Sequence, residues 1–174
     1  GRDAVVIADS FEYPLKKPHC KGVNLLWYGH QVNRASLERI LPEIAGYHLR
    51  VVSNFAGSIP WSKKTMLKEF AQADIVVLPA TETYKSANRA IEAIRQGCFV
   101  VAEPHPALEG FPIYIGNIKD GIEWTLKNKP NRLISKAQSF VTERFLPQTL
   151  SDKWKTATRR PTTLDVEQRN GTDG

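Results

Sequence analysis

Short apolar runs alternate along this chain with segments in which apolar residues recur every three or four positions. The runs are rich in β-branched side chains and continuous rather than alternating, which is typical of parallel strands covered on both faces. They are AVVIA at residues 4–8, NLLWY at 24–28, HLRVVS at 48–53, DIVVLP at 74–79, CFVVA at 98–102 and, as a weaker pattern, PIYIG at 112–116.

Helical periodicity fills the intervals between these runs. Residues 37–44 carry apolar side chains at i, i+3, i+4 and i+7 and predict a helix of three turns. Ser62 is a candidate N-cap for a shorter stripe at 67–71, and a third stripe at 87–94 stops at Gly97. Beyond these, the pattern is purely helical through residues 118–128, 133–144 and 151–158.

The alternation of strands and helices predicts an α/β fold, a doubly wound parallel sheet with helices on both faces. We expect one domain over residues 1–158. Residues 159–174 hold too little apolar surface to pack and predict a disordered tail. Ligands of such sheets bind at the carboxyl ends of the strands. The strand ends where we expect functional residues are Tyr28, Ser53, Pro79 and Ala102.

The amino-acid composition limits the class of protein but does not identify a ligand. The 174 residues include 24 Lys and Arg against 18 Asp and Glu, a net charge of +6 spread along the chain. This balance suits an anionic ligand such as a nucleotide diphosphate, a phosphorylated lipid surface or a nucleic acid. Two cysteines make no disulfide framework, no apolar run reaches the ~18 residues of a membrane span, and no signal peptide begins the chain. We therefore expect a soluble, cytoplasmic protein.

The segment ATETYKSANRAIEAIRQG, at residues 80–97, raises two interpretations. Its polar residues share one side of the predicted helix, opposite the apolar stripe, and they are Lys85, Asn88, Arg89, Glu92 and Gln96. They form either an ordinary solvated face or an anion site. The second interpretation rests on position, because the helix begins at the carboxyl end of a strand, where its free amides and Ser86 would face a ligand.

A second candidate is WYGHQVNRAS, where Gly29 lets the backbone approach a ligand and His30, Asn33 and Arg34 supply donors. A glycine at a strand end also serves as an ordinary turn. No dinucleotide fingerprint, Walker loop or serine elbow is present, and the aromatic and basic residues do not follow a nucleic-acid-binding pattern.

The loop AEPHPALEGF adds Glu103, His105 and Glu109 to the candidate polar residues. A histidine between two prolines favours a rigid loop residue over a ligand-binding one. No spacing of His, Cys, Asp and Glu resembles a metal site.

The segment ADIVVLPATETYKSANRAIEAIRQGCFVVAE resembles the nucleotide-sugar-binding signature in the C-terminal half of GT-B glycosyltransferases. The similarity is greatest to the retaining family of glycogen synthase-like and mannosyltransferase enzymes. The shared pieces are a strand at 73–79, a helix end at 92–97 and a strand at 99–102, and LLWYGH is similar to the family's first strand and glycine loop. The resemblance implies a Rossmann-like domain, half of a GT-B fold, that binds a nucleotide diphosphate sugar.

The resemblance also implies roles for individual residues. Glu92 matches the second Glu of the family's E-x7-E motif, which binds the donor ribose, whereas the first Glu falls on Tyr84. The positive charge that stabilises the departing diphosphate would come from Lys85, Arg89 and Arg34. The residues implied to bind the nucleotide sugar are Gly29, His30, Tyr84, Ser86, Asn88 and Glu92.

The function implied is transfer of a sugar from a nucleotide diphosphate sugar to an acceptor saccharide or lipid, with no cofactor or metal besides the donor. Such enzymes bind the acceptor on an N-terminal domain, which we expect to be a missing partner here, and peripheral membrane contact stays open. The alternative is a non-catalytic nucleotide- or protein-binding module of the same fold. It is favoured by the lost first Glu and the missing acceptor half.

Overall fold

The computed structural model describes residues 13–81 and 86–158. Six parallel strands form one sheet in the order β3-β2-β1-β4-β5-β6. The strands are β1 Leu25–Tyr28, β2 Leu49–Ser53, β3 Ile59–Pro60, β4 Ile75–Leu78, β5 Phe99–Ala102 and β6 Tyr114–Ile115. The doubly wound parallel sheet predicted from the sequence is confirmed, because helices cover both of its faces.

The helices are α1 Arg34–Ile40, α2 Lys63–Gln72, α3 Asn88–Arg95, α4 Ile118–Asn128, α5 Asn131–Phe145 and α6 Pro147–Thr158. Successive strand residues point to opposite faces, so Leu26 and Val76 join one core while Leu25 and Ile75 join the other. Residues of α2, α3 and α5 complete the first core, and residues of α1 and α4 contribute to the second. Continuous apolar strands are therefore explained by burial on both sides.

Local capping explains where several helices begin. The hydroxyl of Ser62 accepts a hydrogen bond from the amide of Thr65 at 3.0 Å, which confirms the predicted N-cap of α2. The side chain of Asn117 accepts one from the amide of Asp120 at 3.1 Å at the start of α4. Gly97 ends the α3 region with a φ of 85°, a conformation that favours glycine.

The structure differs from the predicted elements at the sheet edges and in one helix. β3 was missed, because two residues show no periodicity and a proline is tolerated only at an edge. β6 has only two residues of the predicted strand at 112–116. α1 ends at Ile40 and gives way to turns, although Ile44 is still buried. The predicted strand at 4–8 and the predicted tail at 159–174 lie outside the described residues.

An N-terminal segment, residues 13–20, is bound across the carboxyl end of α3. The backbone amides of Lys16 and His19 donate to carbonyl oxygens there at 2.7 and 3.1 Å. The side chains of Arg95 and Gln96 donate back to carbonyl oxygens of the segment at 3.0 and 2.7 Å. Gln96 is only 3% exposed, so its place on the predicted polar stripe reflects packing against this segment.

None of the helices in the described ranges combines the length and apolar composition needed to cross a bilayer.

Candidate functional site

The candidate site lies where the chain order of the sheet reverses. β1 pairs with β2 on one side and with β4 on the other, so the connections that leave β1 and β4 diverge. In doubly wound sheets this divergence opens a crevice at the carboxyl edge, where ligands bind. Gly29 follows β1 at this edge, and α3 follows β4.

Gly29 brings the backbone and a cationic side chain close together. Its amide donates to the carbonyl oxygen of Val52 at 3.1 Å, and its own carbonyl oxygen accepts from the hydroxyl of Ser53 at 2.6 Å. A Cβ added here would lie 3.1 and 3.2 Å from ring carbons of Trp27 and 3.4 Å from Nη1 of Arg89. Glycine therefore leaves room for the Arg89 guanidinium beside the β1 strand end.

Arg89 is a half-buried cation on the first turn of α3. Its Nη1 donates to the carbonyl oxygen of Tyr28 at 3.3 Å, and no carboxylate of the described residues lies within ion-pair distance of it. Burial lowers the pKa of the guanidinium, although the group stays protonated at neutral pH. Buried charges are normally paired, so this guanidinium is suited to an anionic ligand.

The larger cavity at this edge has a volume of about 390 Å³, within the range of small-molecule sites. Its lining residues are Tyr28, Gly29, His30, Asn33, Asn54, Trp61 and Arg89. The Trp61 side chain is 61% exposed and offers an aromatic surface at the cavity mouth. An aromatic face, amide groups and a guanidinium together fit a ligand with a planar ring and an anionic group.

Hydrogen bonds hold the loop after β1 in place. The side-chain oxygen of Asn54 accepts from the amide of Gln31 at 2.9 Å, and its side-chain nitrogen lies 3.1 Å from Nε2 of His30. Nδ1 of His30 accepts from the amide of Val32 at 3.4 Å, so both ring nitrogens of His30 take part in the contacts that hold this loop.

Glu92 is held inside the fold by Tyr28. The Tyr28 hydroxyl lies 2.6 Å from the carbonyl oxygen of Arg89 and 3.3 Å from Oε2 of Glu92. Burial, and then the charge of Glu92, raises the pKa of Tyr28 well above its usual value, so the hydroxyl remains a donor. One carboxylate oxygen of Glu92 is thereby oriented from within the core.

A smaller cavity of about 30 Å³ lies on another side of Arg89. Its polar lining residues are Thr81, Ser86, Arg89, Glu103 and His105. Glu103 accepts from the backbone amide of Ala80 at 2.6 Å and forms a two-pronged ion pair with Arg39. These contacts lower the pKa of Glu103, with the Arg39 hydrogen bond as the largest cause.

A cavity of similar size at the opposite edge of the sheet has a different character. It has a volume of about 370 Å³, and Asp74, which directly precedes β4, is one of its lining residues. Asp74 accepts hydrogen bonds from the amides of Lys21 and Asn24 at 2.7 and 3.0 Å. This carboxylate closes loops at the amino edge, and the parallel-sheet rule favours the carboxyl edge for a ligand.

The structure brings together part of the predicted site. Gly29, His30 and Arg89 line the large cavity, and Ser86 lines the small one with Arg89. Asn88 and Glu92 lie half-buried on α3. Tyr84 and Lys85 lie outside the described residues.

Arg34 does not line either cavity beside Arg89. Its Nε is 2.7 Å from Oε1 of Glu38, and its guanidinium lies over the ring of Phe55 at 5.0 Å from the ring centroid. Both members of the Arg34–Glu38 pair are about half exposed, so this charge is solvated and already balanced.

Sequence reasoning did not name two contributors to the site, Asn54 and Trp61, and it assigned no contact to Glu103. Asn54 follows β2 and Glu103 follows β5, so the strand-end rule predicted their positions but not their contacts. Trp61 follows β3, the strand that the sequence pattern did not reveal. His105 was interpreted as a rigid loop residue, and the structure places it in the wall of the small cavity.

No group of three or more His, Cys, Asp or Glu side chains in the part of the chain described is arranged to hold a metal ion. Comparison with known proteins gives no assignment of this site. No protein-family model matches the chain, and no curated protein matches it either.

Proposed function

We propose that this chain is the donor-binding half of a sugar transferase and that a nucleotide diphosphate sugar binds at the carboxyl edge beside Gly29 and α3. The observation that carries the proposal is Arg89, a half-buried guanidinium that borders two cavities without a carboxylate partner among the described residues. An anionic group on the ligand would complete this interaction.

The arrangement around Arg89 supports a ligand with three parts. A diphosphate beside Arg89 would pair with the guanidinium, while a nucleobase in the large cavity would stack on the exposed ring of Trp61. Glu92, one turn further along α3, is the candidate for the ribose hydroxyls. The third part, the sugar, would extend from the distal phosphate.

The proposed chemistry is stabilisation of the leaving group. Negative charge develops on the diphosphate as the bond to the sugar breaks, and a cation fixed in advance stabilises it more than water does. Tyr28 holds Arg89 from two sides, because its carbonyl oxygen accepts from Nη1 and its hydroxyl donates to the Arg89 carbonyl. Loss of one such donor typically raises the barrier by about 2.7–4 kcal/mol. Lys85 would add a second cation.

A non-catalytic nucleotide-binding module is the second candidate, and one contact favours it. Oε2 of Glu92 lies 3.3 Å from the Tyr28 hydroxyl, so part of this carboxylate packs into the contact between α3 and β1. A module that binds the diphosphate through Arg89 and does not turn it over would show the same Arg89 geometry. Measurement of nucleotide-sugar hydrolysis or transfer separates the two candidates.

The experiment that tests binding is calorimetry with a panel of nucleoside diphosphates, on the intact chain and on Arg89→Ala. Loss of a charge-assisted interaction of about 1.5–3 kcal/mol predicts a ten- to hundredfold weaker affinity. Arg132→Ala is the matched control, since Arg132 is exposed on α5. The proposal fails if no nucleoside diphosphate binds, or if Arg89→Ala binds as tightly as the unmodified chain while keeping its fold.

A further inference from the structure

The small cavity has a composition that phosphate recognition does not explain. Its volume of about 30 Å³ accommodates roughly two water molecules, and therefore one or two oxygen atoms of a ligand. Besides Arg89, it is lined by a carboxylate, Glu103, and an imidazole, His105. A carboxylate in the wall repels a phosphate group, so this cavity is suited to an uncharged part of a ligand.

The orientation of His105 is fixed by the turn that follows it. Its Nδ1 accepts a hydrogen bond from the amide of Ala107 at 3.1 Å and caps the short 3-10 turn Pro106–Leu108. In the neutral ring, Nε2 therefore carries the proton. No other hydrogen bond of His105 is formed within residues 13–81 and 86–158, so Nε2–H is available as a donor.

Glu103 is also held in place, and its carboxylate can still accept one further hydrogen bond. Three donors reach its two oxygens, namely both terminal nitrogens of Arg39 and the amide of Ala80. A carboxylate has about four lone-pair sites, so roughly one remains. The cavity wall thus offers one donor, on a ring held by the Ala107 amide, and one acceptor, on a carboxylate held by Arg39 and the Ala80 amide.

We infer that Glu103 and His105 recognise a hydroxyl group of the sugar carried on the diphosphate. A hydroxyl both donates and accepts, so it can donate to Glu103 while it accepts from Nε2–H of His105. Arg89 lines this cavity as well as the large one, which places a diphosphate on Arg89 next to it. The inference rests on the proposed function, and it assigns the contact with the transferred group to the loop after β5.

The test compares each nucleoside diphosphate with its hexose conjugate by calorimetry, using UDP and UDP-glucose, GDP and GDP-mannose, and ADP and ADP-glucose. His105→Asn is the informative variant, because the Asn side chain keeps an acceptor for the Ala107 amide but is too short to replace Nε2–H. The unmodified chain should bind at least one conjugate more tightly than its parent diphosphate. His105→Asn should weaken that conjugate roughly two- to tenfold, the loss of one neutral hydrogen bond, and leave the diphosphate unchanged.

A second pair of variants, Glu103→Gln and Glu109→Gln, tests whether the loss of the Glu103 charge changes the diphosphate affinity and the gain from the sugar in different directions. Glu103→Gln removes a negative charge beside the phosphate, so diphosphate affinity should stay the same or rise while the gain from the sugar falls. Glu109→Gln removes the same charge from an exposed position of the loop and should change neither.

The inference is overturned if His105→Asn keeps the full gain from the sugar, or if no conjugate binds more tightly than its diphosphate. Failure of every nucleoside diphosphate to bind would instead reject the proposed function, and this inference with it.

Discussion

Glycine 29 is the residue on which the geometry of the site depends most directly. It was predicted as a strand-end glycine, and the structure adds that the Trp27 ring and the Arg89 guanidinium border its empty side-chain position. No pattern in the sequence indicates that contact, because Arg89 is separated from Gly29 by two helices and three strands of chain.

Gly29→Ala should therefore weaken nucleoside diphosphate binding. The new methyl group would lie 3.1 and 3.2 Å from ring carbons of Trp27, closer than ordinary contact, and 3.4 Å from Nη1 of Arg89, which is ordinary contact. Because the Trp27 ring is fully buried, the strand end must shift, and the Tyr28 carbonyl that accepts from Arg89 shifts with it. We expect an affinity loss of roughly tenfold, because a displaced charge-assisted contact of about 1.5 kcal/mol accounts for that factor. Gly46→Ala is the control, since no atom lies within 4 Å of the methyl group there. Equal affinities of the two variants would contradict the prediction.

Glu92 and Lys85 should respond differently to the two parts of a nucleotide. If Glu92 accepts ribose hydroxyls, Glu92→Ala should weaken binding of a nucleoside diphosphate and of the free nucleoside by about ten- to hundredfold. Lys85→Ala should weaken only the diphosphate, with a stronger dependence on salt, because dissolved ions screen a contact between an ammonium and a phosphate. Calorimetry with both ligands checks this. Unchanged affinity in both folded variants would contradict the assignment of Glu92 to the ribose and of Lys85 to the diphosphate.

The Glu103–Arg39 pair predicts a pH-dependent stability difference. The pKa of Glu103 is lowered from its ordinary value of 4.5, so its contribution is present above that pH and is lost as the pH falls through the folded-state pKa. Glu103→Gln should lower the free energy of unfolding by about 1 kcal/mol at pH 7. The difference should shrink below pH 4.5 in urea titrations. A deficit of the same size at pH 3 and pH 7 would show that the charge contributes nothing.

Among the elements, α3 shows what periodicity can and cannot reveal. The sequence predicted its apolar stripe and its stop at Gly97, and both are confirmed. It could not reveal that the N-terminal segment covers the other side of the helix end, because Lys16 and Arg95 are far apart in sequence. Gln96 was consequently placed on the polar stripe, although it is buried, as is its neighbour Arg95.

Gly97 should be the glycine least tolerant of substitution. It has a φ of 85°, and an added Cβ would lie 2.2 Å from the carbonyl oxygen of Lys17 in the N-terminal segment. Gly57 is a matched control, because its φ is 84° and no atom lies within 4 Å of an added Cβ. Gly57→Ala should cost about 1–2 kcal/mol, the penalty for the backbone conformation alone. Gly97→Ala should cost clearly more in urea denaturation, and equal costs would mean that the segment gives way freely.

For the whole molecule, the fold class followed from the sequence because burial on both faces imposes continuous apolar strands. Within the described residues, the sequence pattern predicted four strands most clearly. They form the interior of the sheet and are β1, β2, β4 and β5. The edges were less predictable, because a two-residue strand is defined by its hydrogen bonds to a neighbour and not by its own side chains. The contribution of Trp61 to the large cavity could not be predicted for the same reason, because Trp61 follows the edge strand β3.

The contrast between interior strands and two-residue edges also determines how different amides should exchange with solvent. Amides of β1 and β4, whose side chains are fully or almost fully buried, should exchange with deuterium only when the whole domain unfolds. Amides beside β3 and β6 should exchange by local opening, orders of magnitude faster. The loop that carries Trp61 would then sample open forms in the free protein, and bound nucleotide should slow its exchange while leaving β4 unchanged.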